Sequence, residues 1–151
     1  MVIRAAEKED IPRIAALEGE CFSHGATEDM LERMRTAPDS VLLCAREGET
    51  FLGHAWFQFV LDEGYVGNIA VAEPYRRRGV GRALTRAMLS AAGERGLAFL
   101  TLEVREGNLP ARRMYEQFGF VKTAVRKNYY ERPPEDAVLM TAVLGERKEE
   151  C

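Results

Sequence analysis

Cysteine is scarce. Cys21, Cys44 and Cys151 are odd in number and widely separated in the 151-residue chain, which argues against a disulfide framework or a zinc cluster and for reduced thiols. Histidine is scarcer still: His24 and His54 have no companions at metal-ligand spacing, so no catalytic metal is expected. Long apolar runs are missing too, since no stretch approaches the ~20 residues that span a bilayer. The opening Met1-Val2-Ile3-Arg4 meets charge almost at once, unlike a signal peptide, and the expected location is the cytoplasm, away from any membrane. Nor is there an excess of positive charge. With 21 Lys and Arg against 24 Asp and Glu, the net charge is -3, and no direct nucleic-acid partner is expected.

What is present suits a single α/β domain over residues 1–144, followed by a charged, flexible tail over 145–151. Apolar residues make up 46% of the chain, enough to close one core. Residues 2–5 read as a first strand. Helices follow from Asp10-Ile11-Pro12, with Asp10 as the cap, and from Thr27, with residues 21–26 between them as a loop. Residues 41–46 and 51–60 read as strands around a turn, and residues 65–72 as another. A helix over 79–92 carries Val80, Leu84, Met88 and Ala91 on one stripe and stops at Gly96. Residues 99–104 alternate as a strand, 108–118 form a short helix, and 120–126 and 136–144 are the last strands. This order fits a central mixed sheet flanked by helices.

The sharpest local pattern is Arg76-Arg77-Arg78-Gly79-Val80-Gly81-Arg82-Ala83, between a strand and a helix. Gly79 and Gly81 let backbone amides approach a ligand, and the helix start adds unpaired N–H groups and a favourable dipole. With arginines beside them, these groups suit a pyrophosphate. The same residues also fit a plain turn with solvated arginines. A Walker loop is excluded because no Gly-Lys-Ser or Gly-Lys-Thr follows. A dinucleotide fingerprint fits poorly, with Leu84 in place of the third glycine and a proline and three arginines after the strand.

Together with Asn68-Ile69-Ala70-Val71 and Pro74-Tyr75, this run resembles the cofactor-binding core of the GCN5-related N-acetyltransferase superfamily. Within it, Leu102-Glu103-Val104-Arg105, Asn108, Ala111, Tyr115-Glu116, Phe118-Gly119-Phe120, Arg126-Lys127-Asn128-Tyr129-Tyr130 and Glu135-Asp136-Ala137 resemble the bacterial enzymes that acetylate the amino-terminal alanine of ribosomal protein S18. The resemblance implies a splayed sheet that admits acetyl-CoA as acetyl donor. It implies contacts to the donor from Ile69, Ala70 and Val71, from the loop Arg76, Arg77, Arg78, Gly79, Val80, Gly81 and Arg82, and from Asn108, Ala111 and Tyr115. The side chains of Ile69 and Val71 are expected to be ordinary core.

Glu103 sits between Leu102 and Val104 on an expected internal strand, where a solvated carboxylate is not the default. Such a group could take a proton from an amine, directly or through water, or could be structural. The resemblance makes Glu103 the general base and Tyr115 the general acid. It also places Tyr129 and Tyr130, read here as part of a hairpin-like loop before Pro133-Pro134, over an acceptor peptide. Trp56, Phe57 and Phe59 read as core. No cysteine falls in the motif region, so the amine is expected to attack directly. That amine must be neutral, and reference pKa values near 7.8 for an α-amine and 10.4 for lysine favour a protein amino terminus by about several hundredfold.

One segment departs from the pattern. A Phe-Pro-Trp-like stretch is replaced by Phe22-Ser23-His24-Gly25-Ala26-Thr27, which is expected to loosen the acceptor wall and to put His24 beside the substrate. A relaxed amino-terminal or small-amine acetyltransferase, and a noncatalytic coenzyme-A-binding domain, remain the alternatives.

Overall fold

The core is set by where the apolar stripes face. In the computed structural model, which describes residues 1–145, strand β1 (Val2–Ala5) is followed by a single 3-10 turn, Lys8–Asp10, and helix α1 (Ile11–Cys21). Helix α2 (Glu28–Thr36) starts where Thr27 accepts a hydrogen bond from the Met30 amide, the expected cap. Strands β2 (Ser40–Glu47), β3 (Thr50–Val60) and β4 (Glu63–Val71) form a meander. Helix α3 (Val80–Glu94), strand β5 (Phe99–Arg105), helix α4 (Leu109–Gln117) and the hairpin of β6 (Val121–Glu131) with β7 (Pro134–Val143) complete the chain. The expected tail from residue 146 on lies outside the described residues.

The strands form one sheet in the order β1-β2-β3-β4-β5-β7-β6. It is mixed and open: β4 and β5 run parallel, while β1 with β2, β2 with β3, β5 with β7 and β6 with β7 run antiparallel. The parallel register runs from Glu63↔Phe99 to Tyr65↔Thr101, a fraction of strands nine and seven residues long.

Two compact units can be distinguished. The first comprises Met1–Gln58 and Gly67–Met88. Its core packs Ile11, Ile14 and Leu17 of α1 and Leu31 and Met34 of α2 with Leu42, Cys44, Phe51 and Ala70 from the strands. Asp10 does not cap α1. It is fully buried, accepts from the Glu7 amide at 2.8 Å and pairs with Arg4 at 2.7 Å and Arg46 at 2.6 Å. Two guanidinium groups make this burial tolerable, because a lone carboxylate would neutralise instead.

The second unit comprises Phe59–Val66 and the chain from Leu89 on. Here β5 alternates as expected: Leu100, Leu102 and Val104 are buried and lie opposite Ala142, Met140 and Val138 of β7. The structure corrects three readings. Strand β4 begins at Glu63, because the turn is confined to residues 61–62. The inward stripe of α3 passes through Ala92, which is fully buried, and not through the half-buried Ala91. Strand β6 continues to Glu131, so Tyr129 and Tyr130 belong to a strand and not to a loop.

Leu84, fully buried on α3, has no room to be truncated without leaving a cavity. Leu84→Ala is expected to lower stability by about 2–5 kcal/mol in denaturant unfolding. Leu61→Ala, at a side chain 89% exposed, should stay within ~0.5 kcal/mol.

Candidate active site

In the first unit, β4 delivers Asn68, Ile69, Ala70 and Val71 to the start of the arginine loop. The side chain that joins the core is Ala70, 6% exposed, whereas Ile69 and Val71 are half-buried, so the expectation that both are ordinary core does not hold. The strand ends in a 3-10 turn, Glu73–Tyr75. Arg76 then folds back, its Nε donating to the Val71 carbonyl at 2.9 Å and its Nη2 to Cys21 Sγ at 3.7 Å. Arg76 therefore braces the end of the strand. Arg77 and Arg78 are exposed, with Arg78 over the Tyr75 ring at 5.9 Å.

Arg77 and Gly79 have positive φ, 63° and 82°. The second is conformationally cheap only for glycine, and it turns the chain directly into α3. The bond from the Ala83 amide to the Gly79 carbonyl, 3.0 Å, opens the helical ladder, so the amides of residues 79–82 precede it and have no intrahelical acceptor. Arg82 is exposed beside them. A helix start of this kind, 15 residues long and flanked by arginines, suits an anion.

In the second unit, Glu103 lies on the face of β5 opposite the leucines. Its side chain is 26% exposed, and its Oε1 is 3.6 Å from Nη1 of Arg126. The Tyr129 phenol donates a hydrogen bond to this carboxylate, which, with burial, raises the Tyr129 pKa. Arg126 also sits over the Tyr129 ring at 5.7 Å. Two residues along the same face, Arg105 donates to the carbonyls of Arg132 and Pro133, at 3.1 and 2.9 Å, and pairs with Glu135 at 3.3 Å. Its guanidinium stacks on the Tyr130 ring at 4.3 Å. Arg105 and Arg126 were not assigned roles from sequence. The signal for Arg105 was available, because strand alternation places it on the same face as Glu103.

Asn108 caps α4, its Oδ1 accepting from the Ala111 amide at 3.3 Å. That cap uses one lone pair of the oxygen and leaves the other, with the amide nitrogen, for a ligand. Tyr115, in the last turn of α4, packs edge-on against Phe120 at 5.6 Å. Burial, with a smaller contribution from Tyr130, pushes its pKa up to about 12. Tyr130 is likewise pushed up to about 12, by burial and then by the Glu103 charge.

His24 is exposed on the loop between α1 and α2. Cys44 is buried, and its thiol is pushed up to about 11 chiefly by burial. Burial also raises Cys21, although its sulfur meets Arg76 of the motif loop, a proximity that sequence spacing did not reveal. Among the described residues no group of three or more His, Cys, Asp or Glu could hold a metal ion, and no helix is long and apolar enough to cross a membrane.

The sequence pattern of the Acetyltransferase (GNAT) family matches residues 11–120. The chain belongs to the GNAT family. Over 90 residues it is 45% identical to the ribosomal protein bS18-alanine N-acetyltransferase of Escherichia coli (strain K12), covering 58% of this chain and 61% of that protein. The crystal structure of the ribosomal-protein-S18-alanine N-acetyltransferase from Escherichia coli superposes with a TM-score of 0.87 at 30% identity, covering 99% of this chain and 97% of that one. The fold is also that of yncA from Salmonella typhimurium, determined with its cofactor acetyl-CoA, at a TM-score of 0.85 and 19% identity over 100% of this chain and 98% of that one. This GNAT member is an acetyl-CoA-dependent acetyltransferase.

The chain has five tyrosines, and the site chemistry separates them. In an alkaline titration followed by tyrosinate absorbance, Tyr115 and Tyr130 are expected to ionise near pH 12, above the ordinary value near 10. Tyr115→Phe should remove one late-titrating phenol.

Proposed function

We propose that this GNAT enzyme acetylates a protein α-amino terminus, with the amino-terminal alanine of ribosomal protein S18 as its acceptor. The observation that carries the reading is the Glu103 carboxylate, half-buried and held by Arg126 and the Tyr129 phenol. It sits at the Leu-Glu-Val-Arg segment shared with the S18-type enzymes, and the similarity of the Escherichia coli protein supports the same acceptor.

The residues present fit acetyl-CoA. The amides at the start of α3 and the exposed Arg77, Arg78 and Arg82 offer a cradle to its pyrophosphate, and the backbone of Ile69, Ala70 and Val71 can pair with its pantetheine arm. In the second unit Asn108, Ala111 and Tyr115 are assigned to the donor and Tyr129 and Tyr130 to the acceptor, and in the first unit His24 is assigned to the acceptor. Backbone N–H groups fixed in a strand suit a carbonyl oxygen that gains charge, because they need little reorganisation.

The neutral amine attacks the thioester carbonyl directly. Glu103 takes the proton that the amine nitrogen sheds, and the carbon–sulfur bond breaks toward coenzyme A. Tyr115 is the donor to the departing sulfur. A phenol near pH 12 cannot simply protonate a thiolate of reference pKa ~8.5. Tyr115 therefore stabilises the departing thiolate with a donated hydrogen bond, and the thiolate takes up its proton from water after release. The raised thiol pKa values of Cys21 and Cys44 disfavour an acetyl-cysteine route. A relaxed acceptor range is the second reading, favoured by the small residues and exposed His24 of the 22–27 loop.

The test is incubation with acetyl-CoA and short peptides, with the acetyl group located by mass. Labelling is expected at a free Ala-Arg terminus and absent from the same peptide with a blocked terminus and an internal Lys. Labelling of all free termini would establish the relaxed reading, and labelling confined to lysine or polyamines would overturn both. Glu103→Gln should lower kcat/KM by about 10²–10⁴-fold.

The pH profile gives a separate check. The rate should rise as the acceptor amine deprotonates near its reference pKa of ~7.8 and stay level to about pH 10, because a phenol raised to about 12 remains a donor throughout that range. A falling limb below pH 9 that disappears in Tyr115→Phe would keep Tyr115 as the donor but contradict its raised pKa.

A further inference from the structure

Glu18 is a charged side chain on the buried stripe of α1, at 0% exposure, and the chemistry above leaves it unused. It is saturated with donors. Oε1 accepts from the Ala26 amide at 2.9 Å and from Asn68 Nδ2 at 2.8 Å. Oε2 is 2.6 Å from His54 Nε2 and 3.4 Å from Trp56 Nε1. Burial works against ionisation, but the hydrogen bonds from His54, Ala26 and Asn68 outweigh it and hold the carboxyl below its ordinary range. His54 is equally buried, and its Nδ1 has no partner among the described residues. With Nε2 donating to Glu18, Nδ1 holds only a lone pair, and an unpaired buried acceptor is more tolerable than an unpaired N–H.

The two partners of Oε1 matter most. Ala26 belongs to the loop that carries His24, and Asn68 immediately precedes Ile69, Ala70 and Val71. A single oxygen atom thus joins the two segments. The loop also lies directly on α1: a Cβ built on Gly25 would come within 2.5 Å of the Glu18 carbonyl oxygen. The replacement of a proline and a large aromatic in this loop is therefore accompanied by anchoring at Gly25 and Ala26.

We infer that Glu18 is a positioning residue that fastens the acceptor-side His24 loop to the donor-side strand, so that loss of its carboxylate weakens binding of both substrates while sparing the chemical step. This rests on the acetyl-transfer reading above, in which Ile69–Val71 meet acetyl-CoA and His24 meets the acceptor. The reacting groups assigned there, Glu103 and Tyr115, are not among the contacts of Glu18. A Glu18 variant should therefore act on KM and not on kcat.

The test compares Glu18→Ala, Glu18→Gln and Asn68→Ala with the wild type, using acetyl-CoA titration calorimetry, steady-state kinetics on an S18-like peptide and amide exchange at Ala26. Loss of a hydrogen bond to a charged group corresponds to about tenfold or more in a binding constant. Glu18→Ala is therefore expected to raise the acetyl-CoA Kd and the peptide KM by ~10-fold each, with kcat within ~3-fold, and to speed Ala26 exchange by ~10-fold or more. Glu18→Gln should recover part of this loss, because its oxygen can still accept from Ala26 and Asn68, while an amide donating to His54 Nε2 forces the ring proton onto the unpartnered Nδ1. Asn68→Ala removes one arm only, and should raise the acetyl-CoA Kd with little change in peptide KM.

A folded Glu18→Ala protein with both constants unchanged, or with kcat alone reduced, overturns the inference. So does a folded Glu18→Gln protein as impaired as the alanine variant. If Glu18→Ala does not fold, Asn68→Ala decides, and an unchanged acetyl-CoA Kd overturns the link. A wild type that neither binds acetyl-CoA nor labels any peptide would sink the acetyl-transfer reading instead. The Ala26 amide would then still report on the tether, and exchange no faster in a folded Glu18→Ala protein would sink that too.

Discussion

The two-residue period of β5 is the constraint on which the second unit depends. Leu100, Leu102 and Val104 enter the core against Ala142, Met140 and Val138, and the pleat then has no choice but to put Glu103 and Arg105 on the other face. A slip of one residue would bury a carboxylate and a guanidinium among aliphatic side chains and expose three apolar ones. Register is therefore fixed by core energetics, and the chemistry inherits that precision. Glu103 meets Arg126 and Tyr129, and Arg105 reaches the turn of the β6–β7 hairpin. The same packing that stabilises the strand aims the carboxylate.

Tyr115, Tyr129 and Tyr130 show how the environment differentiates similar groups. Tyr129 is tied to Glu103 by its own hydrogen bond. Tyr130 is clamped under Arg105, and Tyr115 is wedged against Phe120. All three are shifted upward, by burial or by the nearby carboxylate, so none supplies a phenolate at neutral pH. Tyr129 donates to Glu103, and in the proposed reaction Tyr115 is the donor and Glu103 the acceptor. That division matches a reaction in which one group must take a proton while another stabilises negative charge on sulfur.

Much of this was legible in the sequence wherever one face of an element is buried. Strand β5, the α3 stripe through Val80, Leu84 and Met88, and the Thr27 cap all follow from spacing. The first half of β6 was legible, but its continuation from Lys127 to Glu131 was not. Strand β6 is an edge strand and exposed along almost its whole length, so no inward face imposes alternation. Its register shifts between Arg126 and Tyr130, with Asn128 at a φ of 52°. Polar residues at a bulge, followed by Pro133-Pro134, read as a loop even though the pairing resumes at Tyr130↔Glu135. The resemblance singled out Glu103 and Tyr115 as candidates, whereas Arg126 beside Glu103 and Arg105 over Tyr130 became clear only once the hairpin was in place.

Glu18 illustrates a different kind of illegibility. Its place was readable, since it follows Ile14 by four residues and Ile11 by seven, on the stripe that faces the core. Its partners were not, because His54 and Asn68 lie 36 and 50 residues away along the chain. A buried carboxylate with its donors is weak evidence for stability, since well-packed apolar groups of similar volume often serve as well or better. What apolar groups cannot do is direct a backbone amide and a side-chain amide onto one oxygen at fixed lengths. The network makes sense as a device for position: it holds the Ala26 loop and the Asn68 strand to a single arrangement, where an aliphatic contact would allow them to slide.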